Sequence, residues 1–259
     1  MLQRTKMTWI SASFKGLTTQ ARNKVHAGTT TRIGGVSMDD YQGLNLASHV
    51  GDAINAVIQN RAIVSKHLKL PSEPIWLNQT HTNKIVELPQ ILTQTDEFDA
   101  SFTKQNQLVC AVMTADCVPI VITDIHARFV ATIHAGWRGL ANGIVANSVA
   151  ALLNQTDSDI CEYTAWIGPA IGASAFEVGE EVKNIFRQKF VSSESYFTPH
   201  GNQKYLADLA GLVELALKAE GISYVVQSNL CTYSDPKLFY SYRRDGQTGR
   251  MATFAWLSS

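Results

Sequence analysis

The chain has 259 residues, 45% of them hydrophobic, and Lys plus Arg equals Asp plus Glu, so its formal net charge is zero. A chain of this length can bury a sizeable core, and a neutral balance argues against nucleic acid as the main partner. No run of about 18 apolar residues marks a membrane span, and residues 1–10 lack the apolar core and cleavage site of a secretion signal, so a cytoplasmic protein is expected.

In chain order, residues 25–30 read as a first strand. Asp52 can cap a helix carrying Ile54, Val57, Ile58, Val64 and Leu68 on one face, with Pro71 beyond its end. Strand-like segments follow at 74–77, 84–88 and 108–113. Residues 118–124 and 128–134 are rich in β-branched and apolar residues, with a short polar break between them. A second helix is expected just after Gly139, with Leu140, Ile144, Ser148 and Leu152 at a spacing of four. After a strand at 163–167, a third helix holds Val178, Val182, Ile185 and Phe186. A fourth runs from about Asp208 through Leu209, Val213 and Leu217, and stops at Gly221. Segments 224–227, 239–242 and 251–256 complete the strands. Several connections are too short for parallel crossovers, so the sheets should be largely antiparallel or mixed, and no linker or repeat divides the chain. One α+β domain is expected over residues 1–259.

Three segments carry the chemistry: Asn78-Gln79-Thr80-His81, Thr114-Ala115-Asp116-Cys117 and His134-Ala135-Gly136-Trp137-Arg138-Gly139. His81, Cys117 and His134 offer two imidazoles and a thiol, the donor set of a three-ligand metal site with an open fourth position. If Ile125-His126 is a two-residue hairpin tip, Asp124 pairs with Ala127 and Cys117 lies directly opposite His134. Opposed residues point to the same face with Cβ atoms about 5 Å apart. The other cysteines, Cys110, Cys161 and Cys231, show no CxxC pairing and are expected to be free thiols packed as small apolar residues.

Gly136-Trp137-Arg138-Gly139 joins a strand end to a helix start, where backbone N–H groups and a guanidinium can meet an anion. Thr29 to Gly35 lacks the spacing and the lysine of a nucleotide P-loop. Ser241-Tyr242-Arg243-Arg244-Asp245 could offer a guanidinium to an anionic substrate or form a surface ion pair.

These segments form one ordered series with Thr-Thr-Arg-Ile-Gly-Gly-Val-Ser (30–37), Leu-Asn-Leu (44–46), Ile-Gly-Pro-Ala-Ile-Gly (167–172), Phe-Glu-Val-Gly (176–179), Tyr-Leu-Ala-Asp (205–208) and Cys-Thr-Tyr (231–233). In this series the chain closely resembles the YfiH family, also called the laccase-domain or polyphenol oxidase family and the peptidoglycan editing factor family. The resemblance spans nearly the whole chain. It implies a four-layer α/β/β/α fold and a zinc site of His81, Cys117 and His134. It also implies phosphorolysis of adenosine, inosine, guanosine and methylthioadenosine, and deamination of adenosine. Thr80 and Thr82 depart from a frequent family pattern, in which an apolar residue and a glycine flank the histidine. By residue chemistry and motif position, Asp116 is a candidate proton carrier. Arg32, Arg138 and Arg243 are candidates for phosphate, and Asn45 for hydroxyl or amide contacts.

Other readings stand beside this one. Cys117 could be the nucleophile of a cysteine amidase acting on peptidoglycan precursors of the UDP-MurNAc-L-Ser type, activated by His81 or His134. Copper could replace zinc, but laccase chemistry uses several copper ions with many histidine ligands, and this chain has 7 scattered histidines. The last alternative is a non-catalytic binding module.

Overall fold

The strands Val118–Asp124 and Val130–Ala135 are buried at every position. Their sequences run apolar without alternation because both faces are covered. In the computed structural model, which describes residues 6–93 and 95–259, they form the middle of a mixed six-stranded sheet. Its order is Tyr224–Gln227, Tyr163–Ile167, Val118–Asp124, Val130–Ala135, Ala100–Thr103 and Ile85–Glu87. Residues 1–5, part of the N-terminal stretch read for a secretion signal, lie outside the described residues.

A second sheet of five strands has the order Trp9–Ser11, Val25–Thr30, Met251–Leu257, Cys110–Thr114 and Ile75–Trp76. Alternate residues sort the layers. Val118, Ile120, Ile122, Ala131 and Ile133 pack against Val149 and Leu152 of helix Ile144–Gln155, Phe186 of helix Glu180–Lys189, and Leu212 and Val213 of helix Leu209–Ala219. On the other face Val121, Val130 and Trp166 meet Ala255 and Leu257 of the five-stranded sheet. The outer face of that sheet, with Ala111, Met113 and Phe254, packs on Val64 of helix Ile54–Leu68. The result is the α/β/β/α stack with mixed sheets expected from the motif series. A small third sheet, Glu177–Gly179, Lys204–Ala207 and Phe197–Pro199, flanks it.

The hairpin register differs from the sequence expectation. Pro119 lies opposite His134, and Val118 opposite Ala135. The tip is longer because the Asp124 carboxylate accepts from the backbone N–H of His126 and Arg128, and Thr123 donates to the Phe129 carbonyl. The displacement is two residues, an even number, so Cys117 and His134 stay on one face as diagonal neighbours.

Other boundaries also move. Asp52 does not cap the helix at Ile54; its carboxylate accepts from Ser37 Oγ, Asn45 Nδ2 and the Ala53 N–H. Gly143, in the left-handed region (φ 92°), separates helix Trp137–Ala141 from Ile144–Gln155. Val178 belongs to a short strand, and the helix begins at Glu180. Residues 239–242 are not a strand: Phe239 and Tyr240 are buried, and Ser241 caps a single turn, Tyr242–Asp245. Asp208 does cap its helix, accepting from the Gly211 N–H at 2.8 Å.

Candidate metal centre and its cavity

The chain changes sheets in two places next to each other. Residues 115–117 carry it from Cys110–Thr114 of the five-stranded sheet to Val118–Asp124 of the six-stranded sheet. The loop after Ile75–Trp76 carries it across again to Ile85–Glu87. Cys117 sits on the first crossing, His81 on the second, and His134 near the end of the strand paired with Val118–Asp124. Their ligand atoms all lie within 4.8 Å of one another, and this is the metal-capable group of His, Cys and acidic side chains found among the described residues. The separation of Cys117 Sγ from His81 Nε2 is 3.7 Å. Tetrahedral ligation with metal–sulfur and metal–nitrogen bonds of zinc length would place these two atoms about 3.6 Å apart. The donor set and its spacing therefore fit a tetrahedral ion; the same donors also serve copper.

The glycine in His134-Ala-Gly136 has a direct role. A Cβ at Gly136 would stand 2.5 Å from His81 Cδ2 and 2.9 Å from Cys117 Sγ, so only a bare backbone lets both ligands close over it. His81 itself adopts φ 64°, a left-handed conformation that costs a non-glycine residue about 1–3 kcal/mol unless its surroundings impose it.

Asp99 imposes it. This fully buried carboxylate accepts from the backbone N–H of Thr80 (3.3 Å), His81 (3.1 Å) and Thr82 (2.6 Å), and from Thr82 Oγ1 (2.7 Å). It also meets His134 Nδ1 at 2.6 Å, while the Asp99 carbonyl accepts from the His134 N–H. One side chain thus fixes the loop of one imidazole and the ring of the other, and leaves His134 Nε2 as the nitrogen available to a metal. Thr82, which departs from the frequent family glycine, supplies two of these contacts. The sequence reading missed Asp99; its one local signal was an acidic residue abutting the wholly buried strand Ala100–Thr103, which itself went unrecognised.

The charges follow from this packing. Burial disfavours the Cys117 thiolate, but His134 and His81 outweigh it and bring the thiol down to about 6. Burial likewise opposes the His134 cation, yet Cys117 and Asp99 raise it to about 9. Asp99, despite burial, is held below the usual carboxylate range by His134 and Thr82. The other cysteines differ from one another. Cys110 is a buried thiol pushed up to about 12, as expected of a core residue. Cys161 is exposed, and Cys231 is half-buried, accepting from the Gly172 N–H and Ser234 Oγ, so neither packs simply as an apolar residue.

The centre opens into a cavity of about 570 Å³. Besides the three candidate donors, its walls include Met113, Ile171, Phe176 and Tyr242, and the guanidinium-bearing Arg138, Arg243 and Arg250. Arg138 is exposed and lies 4.5 Å over the Trp137 ring. Arg243 Nη1 donates to the Glu177 carbonyl at 3.0 Å. Asp116, 8% exposed and at φ 92°, also lines the cavity, but its carboxylate accepts from Thr232 Oγ1 and the Arg243 N–H, both at 2.7 Å.

Two candidates are not brought into this cavity. Arg32 spends its guanidinium on the carbonyls of Gln42 and Pro236 and lies over Tyr240. Asn45 is fully buried, with its amide bonded to Asp52, Ala47 and the Arg250 N–H. Arg250 and His49, which do line the cavity, carried no sequence signal because each stands outside a recognisable motif.

Residues 26–258 match the family model described as multi-copper polyphenol oxidoreductase laccase. The chain is 41% identical over 233 residues to the Escherichia coli protein named purine nucleoside phosphorylase YfiH, covering 90% of this chain and 94% of that one. A Haemophilus influenzae protein named purine nucleoside phosphorylase is 41% identical over 234 residues, with the same coverage of 90% and 94%. Among solved structures, a Neisseria meningitidis protein superposes with a TM-score of 0.88 at 41% identity, covering 97% of this chain and 99% of that one. YlmD from Geobacillus stearothermophilus gives 0.83 at 30% identity, with coverage of 91% and 92%.

Proposed function

The chain belongs to the multi-copper polyphenol oxidoreductase laccase family, and on that basis we propose that it is a cytoplasmic, zinc-dependent purine nucleoside enzyme. It would phosphorolyse adenosine, inosine, guanosine and methylthioadenosine, and deaminate adenosine. The observation that carries this reading is the meeting, in one cavity, of the His81–Cys117–His134 donors with aromatic walls and the guanidinium groups of Arg138 and Arg243. The names of these relatives support phosphorolysis.

Zinc bound by the three side chains would supply Lewis-acid polarisation at an open coordination position. The residues around it do the rest. Phe176, Ile171 and Tyr242 offer apolar faces to a purine. Arg138 and Arg243 offer guanidinium groups to phosphate. Asp116 is the candidate proton carrier for deamination; its two seated hydrogen bonds also favour a task in holding Arg243 in place. Incubating zinc-analysed protein with adenosine, with and without phosphate, tests the reading. Adenine formed only with phosphate, or inosine without it, and both lost in Cys117→Ala, is the expected result. No product from zinc-loaded protein would overturn it.

One observation favours a second reading. Without a metal, Cys117, His134 and Asp99 form a thiolate–imidazolium–carboxylate line, the arrangement of a cysteine amidase. A sulfur that ligates zinc is not free to attack a carbonyl, so stoichiometric zinc bound through Cys117 would weaken the amidase.

A further inference from the structure

The cleft continues past the metal ligands. A second cavity of about 520 Å³ shares His49, Gln79 and Met113 with the first, and its own walls include Arg61, Trp76 and Asp96. His49 is exposed at this junction, two residues past the wholly buried stretch 44–47. Arg250 lines the cavity on its metal side, and Arg61 lines the other.

Both guanidinium groups are fixed by neutral partners. Arg250 Nη1 donates to the carbonyls of Thr248 (2.8 Å) and Gly249 (3.0 Å). Arg61 donates through Nε and Nη2 to the Leu46 carbonyl (3.0 and 2.9 Å) and lies 3.9 Å from the centroid of the Trp76 ring. Among the described residues, neither takes part in an ion pair within 4.0 Å. The nearby anions, Cys117 and Asp116 at Arg250 and Glu73 at Arg61, offset this charge only from a distance, and Asp116 and Glu73 accept their hydrogen bonds from Thr232, the Arg243 N–H and Trp76 Nε1. Burial, Arg250 and Arg61 together hold the His49 imidazole below its ordinary range. Two guanidinium groups without an ion-pair partner, one on each side of the same junction, are costly in an empty site and favourable around an anion with several acceptor oxygens.

We propose that the His49 junction, between Arg250 and Arg61, is a binding subsite for a phosphate-type anion, separate from Arg138 and Arg243. The inference rests on the purine nucleoside reading and deepens it: the anion is either free phosphate or a phosphate ester carried by the nucleoside. The first cavity alone is of the size that holds a small ligand, and the second leaves room for such an extension.

Calorimetric titration of the full-length, zinc-loaded protein tests this with three probes: inorganic phosphate, adenosine and adenosine monophosphate. The proteins are wild type, His49→Gln, His49→Glu and Arg138→Gln. His49 is exposed, so its variants should fold, which circular dichroism checks. The expected result is that His49→Gln, which keeps a neutral N–H donor, weakens an anion by about threefold, and His49→Glu, which sets a carboxylate between the two guanidinium groups, by more than about tenfold, while adenosine changes by less than about twofold. Dependence of inorganic phosphate on His49 identifies the free anion, and dependence of the monophosphate alone identifies the ester. The proposal is overturned if neither anion binds wild type, or if anion affinity survives both His49 variants, including the case in which only Arg138→Gln abolishes it. Because the readout is binding, a protein that fails to turn over adenosine yet shows His49-dependent anion binding would refute the purine reading and leave the subsite standing.

Discussion

Metal affinity should depend on pH with a slope set by the Cys117–His134 pair. In the metal-free protein His134 holds a proton up to about pH 9, and Cys117 is a thiolate down to about pH 6. A metal must displace the His134 proton, so binding weakens as pH falls below about 9; the thiolate adds no cost until pH falls to about 6. Between about pH 6.5 and 8.5 one proton leaves per ion bound, which is about tenfold in affinity per pH unit and about 2.7 kcal/mol over the window. Below about pH 6 the slope should steepen as the thiol also protonates. Competition against a chelator of known proton linkage measures it. Asp99→Asn should flatten the upper part of the profile, because the carboxylate helps to hold the His134 proton, while lowering affinity by roughly 10–100-fold at high pH. An affinity that is flat between about pH 6.5 and 8.5 would refute the charge assignment.

Three further outcomes are expected. Gly136→Ala should fold but lose stoichiometric metal, since its Cβ would stand 2.5 Å from the His81 ring; metal analysis after gel filtration checks this. Thr82→Val removes one donor from Asp99 and should weaken metal binding by roughly tenfold with little change in the denaturation midpoint. Thr232→Val strips a buried donor from Asp116 and should cost about 1–3 kcal/mol in urea unfolding; a loss below about 0.5 kcal/mol would show that the bond matters little.

The layers of the fold were legible because burial on one or both faces writes itself into local pattern. The helix ending at Ala219 has its cap at Asp208 and its left-handed glycine at Gly221 (φ 97°), both visible in sequence. Residues 239–242 misled because Phe239 and Tyr240 are apolar for packing, while Ser241 starts a helical turn. The three candidate donors were picked out by their chemistry, and the structure brings their ligand atoms within 4.8 Å of one another. Cys117 and His134 share a face although the hairpin register differs from the expected one, since a two-residue displacement preserves the face and a one-residue displacement would not. Asp99 was not legible: its partners are backbone N–H groups nearly twenty residues earlier and a histidine 35 residues later. Arg32 and Asn45 had the right chemistry for substrate contacts, but local carbonyls and carboxylates claim their donors first.

The most direct test of the central claim is a metal titration read by turnover. Metal-free protein is titrated with zinc, and adenine release from adenosine with phosphate is followed in the same samples. The expected result is no turnover without metal and a linear rise that stops at one equivalent, matching the one three-donor group among the described residues. Full turnover in the metal-free protein, or none at saturation, would contradict it.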